Sequence, residues 1–170
     1  MPPRLNEASE KRTFAVMVDN EPGVLARVVG LFSARGYNIE SLTVAETDPS
    51  THASRITIVT SGTPLILEQI RAQLERMVSI RTVQDVSSDP LGLERELALL
   101  KVKGTGEQRA EALRLADIFR AKVVDTTHES FVFELTGASS KIDQFIRLMA
   151  PLGLVEVSRT GVLSITRGAD

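Results

Sequence analysis

The sequence contains no cysteine and no tryptophan, and only one tyrosine, in 170 residues. The missing cysteine excludes disulfides, thiolate chemistry and cysteine-ligated metals. Twenty Lys and Arg residues against 22 Asp and Glu residues give a formal charge of −2, which offers no electrostatic reason to bind nucleic acid or an anionic membrane. No apolar run approaches the length that spans a bilayer, and residues 1–11 lack the apolar stretch of a signal peptide. We expect a cytoplasmic protein that begins with a disordered polar tail over residues 1–11.

The first half of the chain alternates between strand-like and helix-like apolar patterns. Apolar side chains at every second position predict a first strand through Phe14, Val16 and Val18. One face of the helix predicted next carries Leu25, Val28, Val29 and Phe32. A second helix is expected to begin at Thr63 and Pro64, a typical cap and first position. Ile39 falls out of phase with Leu42 and Val44 in the second strand, which indicates either a bulge or a different role for Ile39.

The same order of elements returns after the polar stretch SSDPLG at residues 87–92. In this half, Phe131 and Phe133 alternate like core residues, and Ser140 with Asp143 forms a capping-box pattern for the last helix. Each half has the order β-α-β-β-α-β, which is the ferredoxin-like plan. We therefore predict an α+β protein with two ferredoxin-like βαββαβ domains in tandem, at residues 12–86 and 94–170, joined by a linker at 87–93. Two helices cover one sheet face, so the other face must meet solvent, the other half or another chain, and self-association is expected.

A catalytic constellation is missing from the sequence. The two histidines, His52 and His128, fall in turn-like segments of different halves, and no zinc-protease, hydrolase or phosphate-loop spacing occurs. We predict no catalytic residue, no cofactor site and no metal site in this chain.

The segment DNEPGVLARV at residues 19–28 carries the most information about function. Pro22 suits the start of a helix because its missing N–H is not needed there. Gly23 leaves the N–H groups of Gly23, Val24 and Leu25 uncovered, and the helix dipole adds partial positive charge, so a carboxylate fits this helix start. The helix start is therefore a candidate anion site.

Two asparagines flank the same helix, Asn20 before it and Asn38 after it. Their side-chain oxygens, with strand-end carbonyls, suit an ammonium group. We expect the first loop and the start of the second strand to lie near each other, which would suit an amino acid, with Val24, Leu25 and Ile39 limiting its side chain. In the alternative interpretation Asn20 and Asn38 are ordinary turn residues and Gly23 is a steric necessity, and spacing alone favours this alternative.

The residues NEPGVLARVVGLFSARGYNIESLTVAETD closely resemble the ACT domain of the regulatory (small) subunit of acetolactate synthase, also called acetohydroxyacid synthase. The resemblance continues through LEQIRAQLERMVSIRTV, ERELALLKVK, ADIFRAKVVD and VEVSRTGVLSITRG, and so covers nearly the whole chain from Arg12 onward. The segment GLFSARGYNIESLTV is typical of this family rather than of ACT domains in general. The polar tail and Pro22 are minor departures.

The resemblance implies a regulatory subunit without an active site of its own. It implies binding to the catalytic (large) subunit, which uses thiamine diphosphate, Mg²⁺ and often FAD to condense two 2-oxo acids in branched-chain amino acid synthesis. The small subunit would raise that activity and confer feedback inhibition by valine. The resemblance also implies an N-terminal ACT domain at residues 12–86 that pairs into a homodimer, with the effector at the interface.

The positions that match the effector site of the family are Asn20, Gly23, Val24, Leu25, Asn38 and Ile39. The C-terminal half resembles the second domain of the family. An alternative function is a stand-alone amino-acid-binding ACT regulator of another enzyme or of transcription, although the sequence offers no helix-turn-helix segment and no basic patch. An enzyme in its own right is disfavoured by the missing catalytic constellation, and neither nucleic acid nor a membrane is expected as a partner.

Overall fold

The computed structural model describes residues 8–169. The first half contains β1 (Glu10–Asp19), α1 (Val24–Arg35), β2 (Asn38–Asp48), β3 (Ala53–Gly62), α2 (Pro64–Glu75) and β4 (Ile80–Asp85). The second half contains β5 (Gly92–Lys103), α3 (Gly106–Phe119), β6 (Lys122–Thr126), β7 (Ser130–Gly137), α4 (Ser139–Met149), a 3₁₀ turn (Ala150–Leu152), β8 (Leu154–Arg159) and β9 (Leu163–Thr166). The βαββαβ order predicted for each half is confirmed.

The first sheet has the strand order β2-β3-β1-β4, and its neighbouring strands are antiparallel. Both helices of this half pack on one face of the sheet. The buried core there consists of Phe14, Val16, Val18, Val24, Val28, Phe32, Ile56, Ile58, Leu67, Ile70 and Leu74. The predicted bulge is confirmed, because the pairing of β2 with β3 shifts between Ile39 and Ser41. The predicted start of α2 is confirmed too, since Thr63 accepts the N–H of Ile66 and Pro64 is the first helical residue.

The buried face of α1 differs from the predicted one. Val24, Val28 and Phe32 are buried, whereas Leu25 is 41% exposed and Val29 is 36% exposed. Because residues i, i+4 and i+8 share a helix face, a core stripe that begins at Val24 turns the side chains one position later toward solvent. The prediction for Leu25 and Val29 as core residues was therefore wrong, and α1 keeps an exposed apolar flank.

The second sheet has the order β6-β7-β5-β8, and β9 pairs with β5. Phe131 and Phe133 lie in its core, as predicted. The predicted capping box was wrong: α4 begins at Ser139 and has no side-chain cap. The hydroxyl of Ser139 instead donates to Glu96.

The described residues form two compact units, one of residues 8–93 with 164–169 and one of residues 94–163. The last segment therefore differs from the predicted range 94–170. It groups with the first unit because Arg55 donates to the carbonyl oxygen of Ser164 at 2.7 Å, and the N–H of Arg167 donates to the carbonyl of Leu91 at 2.8 Å.

The first strand begins within the range predicted for the N-terminal tail, residues 1–11. Glu10 and Lys11 belong to β1, because they pair with Gly62 and Ser61 of β3. Residues 1–7 of the predicted tail lie outside the described residues. No helix within residues 8–169 is long and apolar enough to cross a membrane.

Candidate functional site

The start of α1 is built around Gly23. This residue is the N-cap, has φ +85° and ψ −4°, and provides no side-chain cap, while the N–H of Val24 reaches the carbonyl oxygen of Glu21 at 3.4 Å. A left-handed backbone favours glycine. A Cβ added there would meet only the Nη1 atom of Arg27, at 3.8 Å. The backbone therefore favours glycine at this position, and the space beside it is open.

The loop that precedes α1 is fixed by two backbone hydrogen bonds. The N–H of Asp19 donates to the carbonyl of Ser79 at 2.9 Å, and the N–H of Asn20 donates to the carbonyl of His52 at 2.7 Å. Both acceptor residues have positive φ angles, 72° at Ser79 and 50° at His52. Backbone strain of this kind costs about 1–3 kcal/mol and concentrates at functional sites. The surrounding turns therefore hold the loop in one position.

Polar side chains reinforce this arrangement. The hydroxyl of Ser79 donates to the carboxylate of Glu21 at 2.7 Å, and the guanidinium of Arg81 donates to Asp19 at 2.6 Å and to the carbonyl of Thr51 at 2.7 Å. Exposed pairs of this kind contribute about 0–1 kcal/mol each to stability, so their main effect is to orient the loop. Sequence reasoning missed Ser79, Arg81 and His52, because they are distant in sequence and belong to no local motif.

Asn38 lies at the start of β2. Its Nδ2 atom donates to the hydroxyl of Ser61 at 3.4 Å, and its backbone carbonyl accepts the hydroxyl of Thr60 at 2.6 Å. The side chain of Asn38 is exposed, and the neighbouring Ile39 packs against the first core. The backbone at Asn38 is thus fixed while its amide group remains accessible.

The two groups of predicted site residues lie at opposite ends of the sheet. Asn38 pairs with Ser61 of β3, and Ser61 pairs with Lys11 near the start of β1. The other group follows Asp19, eight residues further along β1, which corresponds to about 26 Å at the usual rise of a strand. The expected nearness of the first loop to the start of β2 was therefore wrong within one chain. Helix α1 carries the chain back along the sheet before β2 begins.

The structure thus separates the six predicted site residues into three sets. Asn20, Gly23 and Leu25 are exposed around the start of α1. Asn38 and Ile39 lie at the other end of the sheet. Val24 is only 4% exposed and belongs to the core, so its side chain faces no ligand and only its backbone remains near the helix start.

The second unit contains a buried carboxylate, Glu96, which is 3% exposed. It accepts hydrogen bonds from Arg159 Nε at 2.6 Å, from Arg159 Nη2 at 2.8 Å and from the hydroxyl of Ser139 at 2.9 Å. The hydrogen bonds from Arg159 are the main reason why the pKa of Glu96 is lowered, and those to Glu96 raise the pKa of Arg159. Since all its hydrogen bonds join β5, β8 and α4, this cluster connects structural elements. Within residues 8–169, no group of three or more His, Asp or Glu residues is placed to hold a metal ion.

Comparison with known families assigns both halves of the chain. Residues 14–82 match the model of the AHAS small subunit-like ACT domain. Residues 95–168 match the model described as the small subunit of acetolactate synthase. The two matches together cover most of both units.

Relatives and solved structures agree with these matches. The chain is 44% identical to the probable acetolactate synthase small subunit of Archaeoglobus fulgidus, over 93% of this chain and 98% of that protein. It is 46% identical to the acetolactate synthase small subunit of Haemophilus influenzae, over 93% and 96% of the two chains. The crystal structure of the acetolactate synthase small subunit from Thermotoga maritima superposes with a TM-score of 0.82 at 36% identity, covering 95% of this chain and 99% of that one. The chain belongs to the family of acetolactate synthase small subunits, with an ACT domain in its first half.

Proposed function

We propose that this protein activates the catalytic large subunit of acetolactate synthase and makes it subject to feedback inhibition by valine or another branched-chain amino acid. The observation that carries the proposal is the match of both halves to small subunits of this enzyme over nearly their whole length. Catalysis then takes place in the partner, which is expected to hold the thiamine diphosphate, Mg²⁺ and FAD. A cytoplasmic location goes with this function.

The effector site, in this proposal, is assembled from two copies of the chain. Gly23 and Asn38 lie at opposite ends of one sheet, so they cannot both contact a single amino acid within one protomer. In a homodimer with a two-fold axis across the strands, the strands of the partner's copy of this sheet run in the opposite direction. This arrangement therefore brings the α1 start of one protomer beside the β2 start of its partner.

Two features of the first unit support such a homodimer. Among residues 8–169, strand β2 is an edge strand of its sheet, and an edge strand is where another chain can pair. On the helix-bearing side, Leu25 and Val29 of α1 and Val44 of β2 leave 41%, 36% and 43% of their surfaces exposed. Apolar groups beside an open sheet edge are typical of a contact with another chain, and two-fold pairing would bury them.

The chemistry of each half-site suits one end of an amino acid. At the start of α1, Gly23 and Leu25 present backbone N–H groups and the positive end of the helix dipole to a carboxylate. At the start of β2, the side-chain oxygen of Asn38 suits the ammonium group. Leu25 and Ile39 would supply apolar surface for a branched aliphatic side chain, and Asn20, which precedes the helix start, would add side-chain donors at the carboxylate end.

Reconstitution with the catalytic subunit tests the function. Acetolactate formation would be measured for the catalytic subunit alone, with this protein, and with this protein plus valine, leucine or isoleucine. The proposal predicts a rise in rate on addition of the protein and a fall when at least one of the amino acids is added. Unchanged rates in every mixture, with a complex between the subunits demonstrated by size-exclusion chromatography, would contradict it.

A further inference from the structure

Arg55 stands out among the arginines of the first unit by its surroundings. It lies on β3 between Ser54 and Ile56, and Ile56 points into the core, so the side chain of Arg55 is on the opposite, helix-free face of the sheet. The residue is half-buried. Its cross-strand neighbours on this face are Met17 of β1 and Ala45 of β2, neither of which carries a charge.

The guanidinium of Arg55 makes no ion pair within 4.0 Å with a carboxylate of residues 8–169, and burial alone lowers its pKa. Its hydrogen bond goes from Nη2 to the carbonyl oxygen of Ser164, at 2.7 Å, while the enclosed Nε–H has no partner. By contrast, Arg12 of the same unit, which is also partly enclosed, contacts two carboxylates at 2.8 Å.

A second polar group without a partner lies next to this guanidinium. Ser164 is only 8% exposed, and its hydroxyl oxygen is enclosed and unbonded. Its carbonyl oxygen is the acceptor for Arg55, so the hydroxyl and the guanidinium belong to the same small region of the first unit. An enclosed donor without an acceptor costs about 1–3 kcal/mol, and here two residues joined by a hydrogen bond each have such a donor.

We propose that Arg55 and Ser164 form a binding site for an oxyanion, a carboxylate or a phosphate group that comes from outside this chain. The planar guanidinium offers several N–H donors in a fixed geometry that matches such groups, and the serine hydroxyl adds one more donor. A cation is unsuitable because it would be repelled by Arg55. The exposed part of Arg55 gives the anion its approach from solvent, and a negative charge there would offset the desolvation of the guanidinium.

The oxyanion has two possible sources, a free anion in solution or a carboxylate on a partner protein, and two measurements separate them. In the first, inorganic phosphate is titrated into the full chain at constant ionic strength, with sodium chloride as the compensating salt, and binding and thermal midpoint are recorded. In the second, the affinity of the chain for the acetolactate synthase catalytic subunit is measured without phosphate. Both use the wild type, Arg55→Gln, Arg55→Lys and the control Arg71→Gln, which removes an exposed arginine paired with Glu75.

For a free anion, we expect saturable phosphate binding to wild type and Arg71→Gln, with a raised midpoint, and at least tenfold weaker binding to Arg55→Gln. For a carboxylate on the partner, we expect Arg55→Gln to weaken the complex at least tenfold while Arg71→Gln leaves it unchanged. In either case Arg55→Lys, which keeps the charge but loses the planar geometry, should fall between wild type and Arg55→Gln. The proposal is overturned if Arg55→Gln matches the wild type in both measurements. It is also overturned if Arg55→Gln is more stable than the wild type and neither measurement shows a specific effect, because the arginine would then be an uncompensated charge without a ligand.

Discussion

Replacing Gly23 with aspartate places a carboxylate where the effector carboxylate is proposed to bind. Two like charges about 4 Å apart, at an effective dielectric constant of about 20, repel by about 4 kcal/mol, which solvent reduces. Even half of this value corresponds to more than a tenfold loss of affinity. We therefore expect Gly23→Asp to abolish inhibition by valine in the reconstituted enzyme and to leave activation of the catalytic subunit largely intact.

The same substitution has a conformational cost that must be separated from the charge. Gly23 has φ +85°, and a left-handed backbone costs a residue with a side chain about 1–2 kcal/mol, somewhat less for Asp and Asn. The space is open, since the nearest atom to an added Cβ is Arg27 Nη1 at 3.8 Å. A negative charge near a helix start also contributes about 0.3–1 kcal/mol of stability. The variant is thus expected to fold with a modestly lowered thermal midpoint.

Two matched controls distinguish these effects. Gly23→Asn introduces a side chain of the same shape and the same backbone strain without the charge, and should retain part of the inhibition. Gly106→Asp introduces the same charge and strain at the start of α3, where φ is +60° and the space is also open, and should leave inhibition unchanged. The assay is a valine titration of acetolactate formation for each variant. Normal inhibition of Gly23→Asp would refute the assignment of the carboxylate to this helix start, and equal loss in Gly23→Asn would attribute the effect to strain.

Two further predictions concern the other half-site and the second unit. Asn38→Ala should weaken valine binding by about one to two decades, because a lost hydrogen bond to a charged group costs about 1.5–3 kcal/mol. The thermal midpoint should change little, since the side chain is exposed. Calorimetric titration measures the affinity and thermal denaturation the midpoint; a lower midpoint with unchanged affinity would contradict the ligand role. The pKa of Glu96 is lowered in the folded protein because Arg159 donates hydrogen bonds to it. The ionised Glu96 therefore stabilises the fold fully at pH values above the pKa that it has in the unfolded chain. This stabilisation is lost as the pH falls through the lower pKa that it has in the folded protein. Because Arg159 is partly exposed, Glu96→Gln should lower the free energy of unfolding at neutral pH by about 1.5–3 kcal/mol, the usual value of hydrogen bonds to a charged group. The difference in stability from the wild type should narrow below about pH 4, near the ordinary pKa of a glutamate. Denaturant unfolding at several pH values measures this difference, and a difference that does not change with pH would contradict the prediction.

Local sequence signals predicted the elements of the fold well. Thr63 and Pro64 combine a side-chain cap with a residue that needs no N–H, and they begin α2 as predicted. The bulge after Ile39 was visible because side chains of a strand alternate strictly, so one residue out of phase indicates an interruption. These signals require only residues that are neighbours along the chain.

The candidate site was less predictable, because it depends on contacts between distant segments. The apolar period of α1 was correct, but it did not decide whether Val24 or Leu25 faces the core. The supports at His52 and Ser79 became visible only when the folded chain placed them against the loop. The separation of Asn20 from Asn38 follows from the length and direction of α1, and the residue spacing alone suggested the opposite. Likewise, nothing in the sequence marks Arg55 as a partly enclosed arginine whose Nε–H finds no acceptor among residues 8–169.

Mixing two variants with impaired valine binding tests directly whether the effector site is shared between two chains. Gly23→Asp damages one half-site and Asn38→Ala the other, so a mixed dimer contains one site with both changes and one site with neither. Valine binding would be measured by calorimetry on each variant alone and on the two variants after co-refolding, with the mixed dimer isolated by two different affinity tags. If the site lies between two protomers, the mixed dimer binds valine with wild-type affinity at one site per dimer. If the mixed dimer binds no better than either variant alone, the effector site lies within a single chain and its assembly from two protomers is wrong.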